Sequence, residues 1–186
     1  MHNRAEAHIK LQAITRNVEL LKKKSGTDLL AVVKADAYGH GLIEVSKTVL
    51  LAGADWLGVA LLEEAITLRK AGITAPILAW LVPPGSDFQS AVTNNIDVAV
   101  SSIAAFKEIA LVKGSARIHI EVDTGMTRGG FLDEWDELLK ADFSKVEVVG
   151  IFSHFARADE AGEQQNVDQL KEFKKKVEQL KAVGIN

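Results

Sequence analysis

Apolar and polar residues alternate along the chain in blocks rather than residue by residue. Six short runs are apolar or β-branched at almost every position: Leu29–Lys34, Trp56–Ala60, Ile77–Leu81, Val98–Val100, Ile118–Asp123 and Val148–Ser153. Runs of that length without strict alternation are expected for parallel strands covered on both faces. Between them lie stretches of helical period. Leu42, Val45, Val49 and Ala52 are three or four apart, as are Val167, Leu170, Phe173, Val177 and Leu180. Gly53, Gly72 and Gly184 stand where helices end and a left-handed residue is wanted. Strand and helix therefore repeat every 25–30 residues or so, the spacing of βα units.

Six such units admit two architectures. A doubly wound sheet is disfavoured because no G-x-G-x-x-G follows any of the strands. A (β/α)8 TIM barrel suits the even spacing, but a closed barrel takes about 250 residues, and this chain has 186. The expectation is thus an incomplete α/β barrel of about six units, forming one partial domain over residues 1–186. Its chain would stop at Val183-Gly184-Ile185-Asn186, where a seventh strand is due, and leave two parallel edges uncovered.

Composition narrows the function classes. A net charge of -3 speaks against a partner held mainly through phosphates, and so against nucleic acid. There is no cysteine, which excludes disulfides, thiolate metal sites and a cysteine nucleophile. The opening MHNRAEAHIK lacks the apolar core of a secretory signal. Ile73 to Pro84 is too short and too interrupted by proline to cross a bilayer. A soluble, cytoplasmic protein is expected, with no metal. The lysines at 22–24 and 174–176 read as solvated helix faces.

In a barrel, polar residues at the C-terminal ends of strands are the first candidates for chemistry. Three ends qualify. The first runs from Ala31 to Gly41, AVVKADAYGHG, where an apolar strand finishes on Lys34. A lysine in a partly dry barrel mouth has its ammonium form disfavoured, so its amine becomes available for a Schiff base; the alternative is an ordinary surface lysine. The second, EVDTGMTRGG from Glu121 to Gly130, presents Arg128 in a glycine-flanked loop. There it can fork onto a carboxylate or phenolate, or merely pin the loop by pairing with Glu121 or Asp123. The third, GIFSHFARAD from Gly150 to Asp159, offers His154, as an orienting or a structural histidine. These lie at the ends of strands one, five and six, one face of the expected barrel. His40 reads as a loop residue, and His2, His8 and His119 carry no signal.

These segments resemble the alanine racemases. VVKADAYGHG is similar to the family's lysine signature, and VDTGMTRGG and SHFARAD resemble its later barrel motifs in the same order. Trp56-Leu57-Gly58-Val59-Ala60 with Glu63-Glu64-Ala65 and Leu68-Arg69 resembles its second strand and helix. The similarity runs from about Arg4 to the last residue. It implies a pyridoxal-phosphate-dependent amino-acid racemase that supplies D-alanine for peptidoglycan. Lys34 would carry the cofactor and act as one of two bases, and Tyr38 would hydrogen-bond its phosphate. Arg128 would face the cofactor's phenolic oxygen and the substrate carboxylate, and His154 would orient partners by hydrogen bonding. The family also implies a head-to-tail homodimer.

Departures from the family are informative. Many members have a carbamylated lysine where this chain has Glu121, and a glutamate could supply that negative charge unmodified. The family's later phosphate-binding Asn-Ser segment, the arginine facing the pyridine nitrogen, and the C-terminal β domain with its opposing tyrosine base have no counterpart here. The resemblance therefore implies that these 186 residues alone are inactive. Two other readings remain open: a racemase or decarboxylase of the same barrel type acting on another amino acid, and a non-catalytic pyridoxal-phosphate-binding barrel. A non-enzymatic interaction module has no feature in its favour.

Overall fold

The computed structural model describes residues 5–185; His2, Arg4 and Asn186 lie outside the described residues. It falls into two compact units, one ending at Ala79 and the next beginning at Trp80.

The first unit consists of α1 (Leu11–Ser25), β1 (Leu30–Val32), a tight turn α2 (Lys34–Gly39), α3 (Leu42–Leu51), β2 (Trp56–Val59), α4 (Leu62–Lys70) and β3 (Ile77–Ala79). Its strands are parallel and in chain order, with Ala31 opposite Leu57 and Gly58 opposite Leu78. Leu57, Val59, Ile77 and Ala79 are completely buried, with Ala65 and Leu68 of α4 equally so. Lys22 bonds the carboxylate of Asp55, which also accepts the Leu29 N–H at 2.7 Å. That arrangement ties the end of α1 to the entries of β1 and β2.

The second unit consists of α5 (Phe88–Thr93), β4 (Asp97–Val100), α6 (Ile103–Ile109), β5 (Ala116–Glu121), α7 (Trp135–Leu138), β6 (Val146–Phe152) and α8 (Gln164–Ala182). These strands are parallel too, Val98 facing Ile118 and Ile118 facing Val148, with an irregularity after Ile118. Side chains of Asp87 and Ser102 cap α5 and α6 by accepting the N–H of Ser90 and Ala105. Among the described residues no helix is long and apolar enough to cross a membrane.

All six expected strands form, and several expected details need correction. The strands stop one or two residues early at β1, β2, β3, β5 and β6, and at β2 and β5 the backbone there turns to other partners. The Asp123 N–H, for example, bonds Phe131 rather than extending the ladder. Burial on both faces holds for β3 and β4, but β1 and β6 are largely half-exposed. In α8, Val167 is 58% exposed and Leu170 is also exposed, whereas Gln169 is buried. The helix turns a polar residue inward because its amide is fully hydrogen-bonded, as described below. Nor are the lysine runs simply solvated: Lys22 is paired, and Lys176 lies 4.5 Å from the centre of the Trp135 ring with 11% of its side chain exposed. Ala52 caps α3 instead of continuing it. Gly53, Gly72 and Gly184 do take the left-handed conformation expected of them.

A polar cluster stands at the start of β4, β5 and β6. Arg117 forks onto Asp97 at 2.9 and 3.3 Å and reaches Glu147 at 3.1 Å. His119 Nε2 lies 3.1 Å from the same Asp97 carboxylate, so that nitrogen carries the proton. Burial pushes the Asp97 carboxyl up, but the bonds from His119 and Arg117 outweigh it and hold the group below the usual carboxylate range. A carboxyl depressed in the folded state stabilises above its unfolded pKa and loses that contribution as pH falls. Asp97→Asn should therefore cost about 2–3 kcal/mol in urea denaturation near neutrality. The gap to wild type should be constant above about pH 4 and narrow below it; a gap widening on acidification would contradict this.

Candidate functional site

The segment after β1 departs from ordinary backbone geometry. Ala35, Asp36, Ala37 and Tyr38 have φ between 51 and 55° and ψ between 40 and 54°, one turn of left-handed helix built from four L-residues. Each such residue costs about 1–2 kcal/mol because Cβ crowds the following carbonyl. A run of four persists only where surrounding bonds over-determine it.

Those bonds are present. The last ladder contact, Val33 N–H to Gly58 carbonyl at 2.8 Å, fixes the chain just before Lys34. The Ala35 N–H donates to Glu64 Oε1 at 2.6 Å. Within the turn, Ala37 N–H bonds the Val33 carbonyl, and both His40 and Gly41 N–H bond the Asp36 carbonyl, each at 2.9 Å. The Asp36 side chain accepts the Leu42 N–H at 2.6 Å and so starts α3. His40 Nδ1 lies 3.0 Å from the carbonyls of both Ala37 and Tyr38, two acceptors, so Nδ1 bears a proton. Sequence reasoning treated His40 as a plain loop residue and gave Glu64 no role; both hold this turn.

The turn sets Lys34 and Tyr38 side by side. Lys34 is half-buried, its ammonium 5.5 Å from the centre of the Tyr38 ring, and Tyr38 is 60% exposed. Among the described residues no carboxylate pairs with Lys34 and none hydrogen-bonds the Tyr38 hydroxyl. An amine and a phenol on one rigid turn are thus available to a ligand.

A second cluster lies at the end of β5. The loop from Asp123 to Gly130 is closed by Phe131, whose N–H bonds the Glu121 carbonyl at 2.8 Å while its carbonyl accepts the Asp123 N–H. Buried Asp123 accepts the N–H groups of Gly125 and Thr127 at 2.8 and 3.0 Å. Asp123 therefore pins the loop backbone rather than pairing with Arg128. Gly130 must be glycine: at φ 107° a Cβ would come within 2.5 Å of the Asp123 nitrogen.

The loop presents Arg128 at an exposed position over the carboxylate of Glu121, which is 8% exposed. Burial pushes the Glu121 carboxyl above its ordinary range; Arg128 opposes that shift and Asp123 adds to it. His154 Nδ1 stands 3.6 Å from Glu121 Oε1. Glu121, Asp123, Met126, Arg128, Ser153 and His154 line one small open cleft. This places Arg128 and His154 together around a buried acid, an arrangement suited to an anionic or proton-sharing ligand.

Gln169 of α8, 2% exposed, holds the cleft's back wall. Its Oε1 accepts the Ala156 N–H at 2.9 Å, and its Nε2 donates to the His154 carbonyl at 2.8 Å and to Thr124 Oγ1 at 3.1 Å. Ser153 Oγ donates to the Val122 carbonyl at 2.7 Å, so in its 2.8 Å contact with Thr124 it must accept. A directed chain runs from Gln169 through Thr124 and Ser153 into the backbone just past β5. The only sequence signal for it was a glutamine inside an apolar helical stripe.

Residues 9–186 match the family described as "Alanine racemase, N-terminal domain". The alanine racemase of Salinispora tropica is 43% identical over 97% of this chain and 51% of its own length. That of Thermobifida fusca is 39% identical over 100% of this chain and 53% of its own length. The crystal structure of alanine racemase from D-cycloserine-producing Streptomyces lavendulae superposes with a TM-score of 0.92 at 38% identity, covering 96% of this chain and 50% of that one. The Corynebacterium glutamicum enzyme gives a TM-score of 0.90 at 37% identity, covering 96% and 53%. The chain thus spans about half the length of the curated relatives it matches.

Two stability measurements check this geometry. Ala35→Gly removes the Cβ responsible for one left-handed penalty and should stabilise the chain by about 1 kcal/mol; destabilisation in urea titrations would contradict the left-handed assignment. Gln169→Leu strands three polar partners and should cost about 2–3 kcal/mol, with faster amide exchange at Ala156. Unchanged exchange there would show that the bond does not hold that backbone.

Proposed function

This chain belongs to the alanine racemase family through its N-terminal domain, an α/β barrel fold, and on that premise we propose that it is the cofactor-bearing portion of a pyridoxal-phosphate-dependent alanine racemase. The observation that supports this most directly is the left-handed turn, which offers an unpaired amine beside a solvent-facing phenol. The donor set fits the group: Lys34 can condense with an aldehyde, releasing water, while the Tyr38 hydroxyl can donate to a phosphate oxygen. When bound, the cofactor supplies the electron sink that makes a substrate Cα–H acidic.

The roles proposed for this chain's residues follow from their settings. Lys34 holds the cofactor and moves the Cα proton on one face of the substrate. Tyr38 anchors the phosphate. Arg128 faces a phenolate or substrate carboxylate, with Glu121 behind it as a fixed negative charge. His154, backed by the Gln169 network, orients neighbouring groups without performing chemistry. Alanine is the proposed substrate, with D-alanine made in the cytoplasm and destined for peptidoglycan, and a homodimer the proposed assembly of the whole enzyme. The family resemblance assigns the opposing base to a β domain that these 186 residues do not match. The 186-residue polypeptide by itself is therefore proposed to capture cofactor without racemising alanine.

Three outcomes are expected. Titrating the chain with pyridoxal phosphate should produce a visible absorbance change that Lys34→Ala abolishes; an equal change in the variant would refute Lys34 as the anchor. Coupled-assay detection of D-alanine from L-alanine by the purified 186-residue chain would refute the two-base reading. Glu121→Gln should raise stability above the carboxylate range, since a buried acid with an elevated pKa loses stability as pH rises through it. The same change should loosen Arg128, seen as lower side-chain NMR order parameters. If Arg128 were equally ordered in the Glu121→Gln variant, Glu121 would have no part in holding it.

A further inference from the structure

We propose that Glu64 is a positioning residue for Lys34: it clamps the amide that follows the lysine and thereby holds the left-handed turn on which Lys34 and Tyr38 are presented. The inference rests on the cofactor reading above and deepens it.

Glu64 occupies the third position of α4, and its two oxygens serve different segments. Oε2 accepts the N–H groups of Ala60 and Leu61 at 3.0 and 2.9 Å. These bonds are local to the start of α4, half of a capping box, and lock the carboxylate against the β2–α4 junction. Oε1 is thereby aimed outward and accepts the Ala35 N–H at 2.6 Å, across 29 residues of sequence.

That contact completes a bracket around one residue. On one side of Lys34, the Val33 N–H is bound to Gly58 of β2. On the other, the Ala35 N–H is bound to Glu64 at the end of the same strand's connection. Lys34 is the single residue between two backbone anchors that both belong to the β2–α4 segment. The Ala35 N–H also stands at the head of a helical turn, where a donor has no partner within the turn itself. A carboxylate is the stronger acceptor available for such a donor. With Ala35 fixed, the Ala37, His40 and Gly41 N–H groups bond carbonyls within the left-handed arrangement observed.

The geometry also says which substitutions fail. Glutamine retains one acceptor oxygen and sets an NH2 group against an N–H donor, either at Ala35 or at Ala60 and Leu61. Aspartate is one methylene too short to span both. Glu63, exposed one position earlier on α4, has no part in the bracket and serves as the control.

The test uses the full 186-residue chain, with pyridoxal phosphate as the probe. Samples are quenched with borohydride at intervals, and labelling at Lys34 is read by peptide mass spectrometry relative to exposed Lys10 in the same sample. In parallel, the exchange rate of the Ala35 amide is followed by NMR, and thermal unfolding is recorded. Glu64→Gln should lower the relative Lys34 labelling rate about tenfold or more, the scale on which misplacing a reacting group acts, and should speed Ala35 exchange. It should retain a cooperative unfolding transition, and Glu63→Gln should change none of these. Wild-type labelling in Glu64→Gln, or an equal loss in Glu63→Gln, overturns the proposal. Loss of cooperative unfolding overturns it too, because Glu64 would then hold the fold rather than the lysine. If the wild-type chain shows no preference for Lys34, the cofactor reading fails, while Ala35 exchange still decides whether Glu64 clamps the turn.

Discussion

Four consecutive L-residues held left-handed, from Ala35 to Tyr38, are the constraint around which the first unit's site is arranged. The conformation is intrinsically unfavourable, so its persistence needs external bonds, and each of those bonds recruits another part of the unit. Glu64 brings in the β2–α4 junction, Asp36 starts α3, and His40 covers carbonyls that the turn leaves open. The parallel pairing of β1 with β2 supplies the frame from which the turn departs. The result is a short, stiff platform carrying an amine and a phenol. Stiffness matters because a lysine side chain is long and freely rotating, and fixing its backbone removes part of the entropy that a covalent ligand must otherwise overcome.

The second unit solves a different problem with polar means. Its cleft keeps a carboxylate, Glu121, nearly dry while an exposed arginine faces it from a loop. Loops are mobile by default, yet this one is pinned three times: by Asp123, by the return of Phe131 onto β5, and by the glycine at 130 that permits the close approach. Gln169 then satisfies the neighbouring backbone from behind without a charge. Buried polar networks stabilise only when every member is paired, and this amide uses both its N–H groups and its oxygen.

Much of this was legible in the sequence, for identifiable reasons. Parallel strands such as Ile77–Ala79 and the stretch Val98–Val100 are apolar and buried on both faces, so they stand out as unbroken runs. Lys34, Arg128 and His154 could be found because strand ends concentrate polar side chains. What the sequence concealed depends on partners distant along the chain. Ala-Asp-Ala-Tyr has no intrinsic left-handed preference; alanine is the best right-handed helix former, and the bonds that hold the turn include one from Glu64, 29 residues away in sequence. Strand termini were misjudged at β2 and β5 because the backbone there leaves the ladder for such a partner. In α8, the apolar spacing of Val167 and Leu170 marks the helix but not which side chains it buries; the fully bonded amide of Gln169 takes the inward position instead.

Lys34 as the cofactor anchor, presented by its left-handed turn, is the central claim. A crystal structure of the 186-residue chain grown with pyridoxal phosphate tests both parts at once. The expected result is continuous density from the Lys34 Nζ into the ligand, the phosphate within hydrogen-bonding reach of Tyr38, and residues 35–38 left-handed. Ligand density joined to another lysine, or a right-handed turn beneath a bound ligand, would contradict it.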